Sequence, residues 1–273
     1  MRIVQLTPGS GDQFYCENCL RDAALVRTLR AEGVDVVLVP MYLPLSLDGD
    51  RTLERTDVFF GGINVYLQQK VGLFRRTPRW LDKVFDAGWL LRCVSKKAGM
   101  TSARQLGEMT LSMLEGPRGR QGKEVERLIE FLQSPENKPD VLILSNLLLA
   151  GLAGPVREKL GCKLVCWLQD EDGFVDGLGE PWSSAVWQEM ARIVPLFDLF
   201  LPVSHYFARA MQERLPIGDE TIYVCAPGLD VSKYEPAVRL PDGPAVGYLG
   251  RMCRANGLDF AAQAFSKLAG QDK

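Results

Sequence analysis

The chain has 273 residues, of which 47% are hydrophobic and 24% charged, so it is long enough to fold around at least one full hydrophobic core. A net charge of −2 argues against a basic field for nucleic acid, and the single histidine, His205, argues against a histidine-rich metal site. The seven cysteines accompany no secretory signal, and no apolar run reaches the roughly 18 residues of a membrane helix. We therefore expect a cytoplasmic protein with reduced thiols and no metal.

Short apolar runs recur along the chain between stretches of helical periodicity. Seven of them are predicted to be strands: residues 3–6, 36–39, 141–144, 164–167, 199–203, 222–225 and 245–249. Runs that are apolar on both faces are typical of parallel sheets covered by helices. Their alternation with helices predicts a doubly wound, Rossmann-like α/β domain over residues 1–240.

A glycine-containing turn follows the first strand and precedes the first helix. Its residues Gly9, Ser10 and Gly11 would lie at the carboxyl edge of the sheet, where α/β proteins bind ligands. Glycines there let backbone N–H groups approach a phosphate or a sugar, and the helix N-terminus adds partial positive charge. Because the segment matches neither the dinucleotide fingerprint nor the Walker loop, a plain tight turn is the alternative.

Cys16 and Cys19 form a C-x-x-C pair near the start of the first helix. This position can lower the pKa of a thiol, and redox enzymes use it. If both cysteines are helical, they fall near the side of Ala23 and Val26, toward the core, and a zinc site would need two further ligands. Two interpretations stay open: buried structural thiols, and a thiol oxidoreductase or metal-binding module.

Two helices are predicted from apolar side chains spaced to share one helix face. The stripes are Leu20, Ala23, Val26 and Leu29 in the first, and Val125, Leu128, Ile129 and Leu132 in the second. Gly33 stands where the first helix needs a C-terminal cap, and Gly122 and Pro135 bound the second.

A long segment with helical character, about residues 59–116, interrupts the alternation. Its residues 70–97 carry eight Lys or Arg against two Asp, and aromatic residues interleave with these charges. They are Phe74, Trp80, Phe85 and Trp89. Two interpretations stay open: a helical flap whose basic side is solvated, and a site for a membrane surface or an anionic acceptor.

Polar side chains directly follow two neighbouring predicted strands. They are Asn146 after the first and Gln169, Asp170, Glu171 and Asp172 after the second. At the carboxyl edge their amides and carboxylates would face the same cleft as the glycine turn and could bind sugar hydroxyls. Ordinary loop polarity is the alternative for each of them. His205 follows Ser204 at the end of another strand, in a position that favours a structural role near a helix cap.

The C-terminal part begins with the turn-rich run Leu-Pro-Asp-Gly-Pro at residues 240–244. A predicted strand at 245–249 and a helix at 258–268 follow. One strand and one helix cannot bury their apolar faces as an independent domain, which needs at least about 50 residues. We therefore expect residues 241–273 to be the truncated start of a second domain. Arg251 and Arg254, at the turn between the two elements, would suit a diphosphate through bidentate hydrogen bonds.

Taken in order, these segments resemble the group 1, or family 4, glycosyltransferases of the GT-B fold. The opening strand, glycine loop and return strand of that family read MRIVQLTPGSG and LRAEGVDVVLVP here, and its Pro-Asp-Val strand reads KPDVLILSN. Its His-Asp strand, its Ser-ended strand and its domain-joining segment read CWLQD, DLFLPVSHYFARAMQERL and IYVCAPGLDVSKY. The first motif of its second domain reads VGYLGRMCRANGLDFAAQAF. The resemblance spans nearly the whole chain.

The chain departs from the family pattern at three positions. The histidine common after the Pro-Asp-Val strand falls at Leu144 or Ser145, the histidine of the His-Asp pair is Gln169, and the lysine of the Lys-Gly motif is Asn256. The roles of those side chains in relatives therefore do not carry over, and Arg254 is the candidate to supply the missing lysine's charge.

The resemblance implies an enzyme that moves a sugar from a nucleotide-diphosphate sugar to an acceptor, with retention at the anomeric carbon and without metal or cofactor. Within this scheme the donor diphosphate is assigned to Gly9, Ser10, Gly11, Arg251 and Arg254. The acceptor cleft is assigned to Asn146, Gln169 and Asp170 because of their position after the two strands, not because of the resemblance. The resemblance names no catalytic nucleophile. The implied partners are a nucleotide sugar and a carbohydrate or lipid-linked acceptor, with peripheral contact at the inner face of the membrane through residues 70–97, and no nucleic acid.

The resemblance also implies that the chain alone is inactive, because the family's paired donor-binding glutamates lie deeper in the second domain than residue 273. Two other classes stay open beside the transferase. One is the thiol oxidoreductase or metal-binding module at Cys16 and Cys19, and the other is a non-enzymatic domain that binds a sugar or a lipid.

Overall fold

A computed structural model describes residues 1–9, 17–42 and 103–228, together with 231, 235, 243, 245–249, 252 and 256–269. The chain divides into two compact units, Met1–Asp230 and Val231–Lys273. The first unit contains the sheet and most of the described helices, and the second contains one described helix.

The first unit is built on a sheet of five described strands. They are β1 (Arg2–Thr7), β2 (Asp35–Pro40), β3 (Val141–Leu144), β4 (Lys163–Leu168) and β5 (Leu199–Pro202). All neighbouring strands are parallel, in the order β2-β1-β3-β4-β5. Leu6 of β1 pairs with Val39 on one side and with Leu144 on the other. The sequence prediction of these five strands and of their parallel arrangement is confirmed.

The order of the strands reverses between β1 and β3, and at such a switch point the two following segments leave toward opposite faces of the sheet. The helix after β1 packs through Cys19, Ala23 and Val26 on one face, while the residues after β3, beginning at Leu147, pack on the other. The carboxyl ends of β1 and β3 therefore mark the position at which open α/β sheets bind ligands.

The described helices are α1 (Glu17–Ala31), α2 (Ala103–Leu114), α3 (Gly122–Gln133), α4 (Ala153–Lys159), α5 (Glu171–Asp176), α6 (Trp182–Ile193), α7 (His205–Gln212) and α8 (Leu258–Ala269). Short 3₁₀ helices lie at Gly116–Arg118, Leu147–Leu152, Val194–Leu196 and Asp219–Thr221. None of the helices within the described ranges is long and apolar enough to span a bilayer.

Successive strand residues point to opposite faces, so the unit has a core on each side of the sheet. Val4 and Leu6 of β1 face the larger core, and Ile3 faces the smaller core against α1. The predicted stripe of α3 is buried in the larger core, as expected.

Helix α1 ends as its sequence predicts but buries a different face at its start. Gly33 has a φ of 81°, and the amide of Val34 donates to the carbonyl of Leu29 over 2.9 Å, which is a glycine C-cap. Leu20 is 40% exposed, whereas Cys19 and Asp22 are buried. The expected stripe is therefore wrong at Leu20, because the contacts with the sheet turn the helix so that the neighbouring Cys19 faces inward.

The last two predicted strands are not members of the five-stranded sheet. Residues 222–225 run beside β5 and form one parallel bridge, with the amides of Tyr223 and Cys225 each donating over 3.0 Å to β5 carbonyls. Residues 245–249 have no regular secondary structure, so the strand predicted there is wrong. Val246 is 74% and Leu249 99% exposed. A hydrophobic pattern alone does not make a strand, because a strand also needs a neighbouring strand that pairs with its backbone.

Only the end of the predicted helical insertion is described. Helix α2 packs against α6 and the 3₁₀ helix Leu147–Leu152, and Leu114 is buried in the larger core. Residues 43–102, including the basic and aromatic segment 70–97, lie outside the described residues.

Candidate binding site at the carboxyl edge of the sheet

Four of the eight predicted site residues are described, and all four lie at the carboxyl edge. Gly9 follows β1, Asn146 follows β3, and Gln169 and Asp170 follow β4. The other four, Ser10, Gly11, Arg251 and Arg254, lie outside the described residues, so their assignment to a diphosphate stays a prediction.

The turn after β1 continues along the end of β2 before it leaves the sheet. The amides of Met41 and Tyr42 donate over 2.8 Å to the carbonyls of Thr7 and Pro8. Gly9 then has a φ of 82°, a conformation that L side chains rarely adopt. A glycine is therefore required at the point where the chain turns toward α1.

A buried arginine joins the ends of β3 and β4 to α1. The Arg21 side chain is 5% exposed and that of Asp22 is 0% exposed, and their charged groups are 2.8 Å apart. Arg21 also donates to the Ser145 carbonyl over 2.7 Å and to the Gln169 side-chain oxygen over 2.6 Å. Ser145 in turn donates its hydroxyl hydrogen to Asp22. Three separate segments are thus held in one hydrogen-bonded network.

The guanidinium of Arg21 also lies over the ring of Trp167, 4.4 Å from its centroid. Trp167 is buried and belongs to β4, one residue before the end of the strand. A cation at this distance above an indole face is attracted by the ring quadrupole, and more strongly when water is excluded. Through this contact the network packs directly against strand β4.

Burial raises the pKa of Asp22, and the charge of Arg21 together with hydrogen bonds from Ser145 and Arg21 opposes this rise. A buried carboxylate is tolerated only when it is paired and hydrogen-bonded, and both conditions are met here. The pair leaves the network close to electrical neutrality.

A second buried carboxylate, Glu171, supports the same edge. It accepts from the amide of Leu147 over 3.0 Å and from the amide of Gln169 over 2.7 Å, so it ties the segment after β3 to the segment after β4. Burial raises its pKa to about 7, and the two amides and Arg21 oppose the rise. Glu171 is thus a rigid support behind Asn146 and Gln169.

Asp170 and Asn146 present polar groups that the fold itself does not use. Asp170 is exposed, has a φ of 62° and precedes α5 without capping it, and it is the one non-glycine residue of the described ranges with a positive φ. Asn146 is 8% exposed, and its side-chain oxygen has no hydrogen-bond partner in the described part of the chain. Strained backbone and unpaired buried polar groups both concentrate at functional sites.

Sequence reasoning missed three members of the network: Arg21, Asp22 and Ser145. One signal pointed to them, because Asp22 lies one position before Ala23 on the helix face that faces the sheet. A carboxylate on a buried helix face needs a partner, and the adjacent arginine is the nearest candidate. Ser204, by contrast, caps α7 by accepting from Phe207 over 3.1 Å, and His205 is the exposed first residue of that helix, so its expected position near a helix cap is confirmed.

The structure tests part of the alternative hypothesis of a thiol oxidoreductase or metal-binding module. Cys19 is fully buried among apolar residues of the smaller core, as a structural thiol would be, while Cys16 lies outside the described residues. Burial raises the pKa of Cys162 and that of Cys166, which disfavours a reactive thiolate at either. In the described ranges, no three His, Cys, Asp or Glu side chains are grouped as metal ligands would be.

No protein-family model and no curated protein matches the chain. Similar solved structures include the lipopolysaccharide outer core galactosyltransferase WaaB in its apo form, at 13% identity and a TM-score of 0.43 over 90% of the chain. UGT89C1 of Arabidopsis thaliana complexed with UDP-L-rhamnose follows at 11% identity and a TM-score of 0.41 over 84% of the chain. The same protein complexed with UDP gives 13% identity and a TM-score of 0.34 over 84% of the chain.

The chain covers 51%, 50% and 52% of these three structures, so it spans about half their length. The parallel order of the five described strands, with packed residues on both faces, identifies the unit Met1–Asp230 as a Rossmann-like α/β domain.

Proposed function

We propose that the chain is the acceptor-side part of a glycosyltransferase that takes a sugar from a nucleotide-diphosphate donor. Two observations support this. The motifs that resemble the family 4 glycosyltransferases occur in the family's order along the sequence. The carboxyl edge presents uncharged amides and one carboxylate, which are the groups that bind sugar hydroxyls.

The observation that carries the proposal is the exposure and the backbone conformation of Asp170. Its carboxylate is exposed at the carboxyl edge, and its backbone is held in a left-handed conformation although the side chain caps no helix. Such a conformation costs of order 1 kcal/mol or more and persists where the surrounding structure enforces it. Asp170 would accept hydrogen bonds from acceptor hydroxyls, with Asn146 and Gln169 beside it.

The reaction we propose proceeds with retention at the anomeric carbon and needs no metal ion. This chain would contribute by positioning the acceptor at the edge and by excluding water. Ser10, Gly11, Arg251 and Arg254 would contact the donor diphosphate, and residues 70–97 would shape the choice of acceptor. These last assignments rest on sequence alone.

Calorimetric and NMR titrations of the chain with methyl glucoside, galactoside and mannoside test the acceptor site. We expect at least one glycoside to bind, and Asp170→Gly to lower its affinity by about ten- to a hundredfold, because one charged hydrogen bond contributes roughly 1.5–3 kcal/mol. Glycine keeps the left-handed backbone without strain, so the substitution removes only the carboxylate.

The control is Gln133→Ala, an exposed residue at the end of α3 and at the amino edge of the sheet, which should not change the affinity. Parallel titrations with UDP-, GDP- and ADP-sugars test the donor, for which we expect little binding by this chain and no transfer. Failure of all glycosides to bind would contradict the acceptor role, and transfer by the chain alone would contradict its expected inactivity.

A further inference from the structure

Arg21 determines which end of the Gln169 amide can meet a ligand. A guanidinium group has only hydrogen-bond donors, so the group that faces it must be an acceptor. Arg21 Nη1 lies 2.6 Å from Gln169 Oε1, and the amide oxygen is therefore directed inward, toward α1. The Gln169 amide nitrogen, with its two N–H groups, is left on the other side.

Arg21 has little freedom to release this oxygen. Nε and Nη2 donate to Asp22 over 3.1 and 2.8 Å, and Nη2 also donates to the Ser145 carbonyl. The guanidinium plane is fixed in addition by its contact with Trp167. The orientation of the Gln169 side chain thus follows from a network of hydrogen bonds made within the protein itself.

The exposed part of Gln169 offers donors without charge. Gln169 is half-buried, and its amide nitrogen has no partner in the described ranges, although its backbone amide is bound to Glu171. The positive charge behind it is balanced by Asp22, and the next residue in the chain, Asp170, carries an exposed carboxylate. A phosphate would meet repulsion here, whereas a neutral oxygen would meet two donors.

We propose that Arg21 is a positioning residue that fixes the Gln169 amide with its N–H groups toward the carboxyl edge, so that Gln169 binds an uncharged oxygen of a carbohydrate, a hydroxyl or a ring oxygen. The ligand class rests on the proposed function, but the role of Arg21 does not. Gln169 donates to the sugar while Asp170 accepts from it, and the pair distinguishes hydroxyl positions by their geometry.

The role of Arg21 is measured in the free protein, by the ¹⁵N relaxation of the Gln169 side-chain amide. We expect this amide to be ordered in the wild type and to become as mobile as that of the exposed Gln133 in Arg21→Met. Arg21→Lys serves as a second variant in case the methionine protein fails to fold. Lysine keeps a charge near Asp22, but a single ammonium cannot bridge Asp22, Ser145 and Gln169 together.

The matched control is Arg214→Met. Arg214 lies 5.0 Å from the centroid of Trp187 and donates to Asp176 through both terminal nitrogens, so it repeats the arginine, tryptophan and aspartate arrangement elsewhere in the same unit. It should lower the melting temperature and leave Gln169 unchanged. An equally ordered Gln169 amide in wild type, Arg21→Met and Arg21→Lys would overturn the positioning role.

Gln169→Glu tests whether Gln169 acts as a hydrogen-bond donor to the ligand. Glutamate keeps an oxygen toward Arg21 and replaces the outward N–H groups with a second oxygen. We expect the melting temperature to be kept or raised and the affinity for the methyl glycoside to fall at least tenfold. Unchanged glycoside affinity in Gln169→Glu would overturn the assignment of Gln169 as the donor.

A titration with inorganic phosphate separates the ligand classes. We expect the Gln169 side-chain signals to move with the glycoside and not with phosphate. Movement of these signals with phosphate alone would overturn the proposal that the ligand is uncharged. If no glycoside binds the wild-type chain at all, the sugar site and the proposed function fail together, while the relaxation measurement still decides the role of Arg21.

Discussion

Glu171 lies 1% exposed at the carboxyl edge, a burial that a carboxylate tolerates only with partners. Its two backbone donors, Leu147 and Gln169, belong to the segments after β3 and β4. The side chain therefore links the two segments that follow these strands. Asp22 does the same between α1 and Ser145. At the scale of single residues, the site is supported by buried carboxylates, while the groups available to a ligand are mainly neutral.

Glu171 should make stability depend on pH in a defined window. Its pKa is raised from 4.5 to about 7, so between these values the folded state binds more protons than the unfolded state. The free energy of unfolding should therefore fall as pH rises through this window, by about 3 kcal/mol from this group, and level off above it. Urea unfolding at about pH 5 and about pH 8 measures the change.

In Glu171→Gln this part of the pH dependence should disappear, because an amide does not ionise. The variant loses one acceptor that faces a backbone amide, so it should be less stable than wild type by about 1–3 kcal/mol near pH 5 and closer to it near pH 8. Glu158→Gln, an exposed position on α4, is the control. An unchanged slope in Glu171→Gln would contradict the raised pKa.

At the scale of elements, the layer behind the site depends on close approach of two backbones. A Cβ atom at Gly151 would overlap the carbonyl oxygen of Met113 and lie 2.9 Å from that of Leu114. A Cβ atom at Gly116, where φ is 58°, would overlap the carbonyl oxygen of Gly151. Glycines at these two positions let the 3₁₀ helix Leu147–Leu152 pack directly against the end of α2.

Gly151→Ala should therefore lower the free energy of unfolding by about 2–3 kcal/mol, since backbone oxygens cannot move aside as side-chain ends can. Gly154→Ala, on α4, has no atom within 4 Å of the added Cβ and should be neutral or stabilising by up to about 1 kcal/mol. Chemical denaturation of the two variants measures both values. Equal stability of Gly151→Ala and Gly154→Ala would show that the two elements do not pack this closely.

At the scale of the whole molecule, the thiols report how tightly the first unit is packed. Cys19 lies in the smaller core, whereas Cys162 and Cys166 lie in the larger one, and all three are buried. A buried thiol reacts only when the structure around it opens, and the raised pKa of Cys162 and of Cys166 slows the reaction of these two further.

Alkylation of the native chain near neutral pH, followed by peptide mass spectrometry, should leave these three cysteines unmodified while all seven cysteines react in concentrated guanidinium chloride. The half-buried Cys225 should react sooner than the buried three. Rapid modification of native Cys19 would contradict its burial and would restore the thiol oxidoreductase as an alternative function.

The sequence by itself determined the five strands of the first unit and two of its helices. Hydrophobic periodicity is a local property, so it predicted the strand at 141–144 and the buried stripe of α3. That stripe consists of Val125, Leu128, Ile129 and Leu132. Gly33 and Ser204 were predictable for the same reason, since a helix cap depends on adjacent residues only. The carboxyl edge as the location of the candidate site followed from the alternation of strands and helices.

Only the tertiary structure decided how that edge is supported. Arg21 lies 124 positions before Ser145 and 148 before Gln169 in the chain, so no local pattern could reveal their contacts. The need for glycine at position 151 likewise comes from the backbone of another element, the end of α2. Residues 245–249 are apolar, but a strand there would also need a partner strand, which the local sequence does not supply. Periodicity follows from the geometry of one element, whereas orientation, charge balance and close approach arise only when separate elements are packed together.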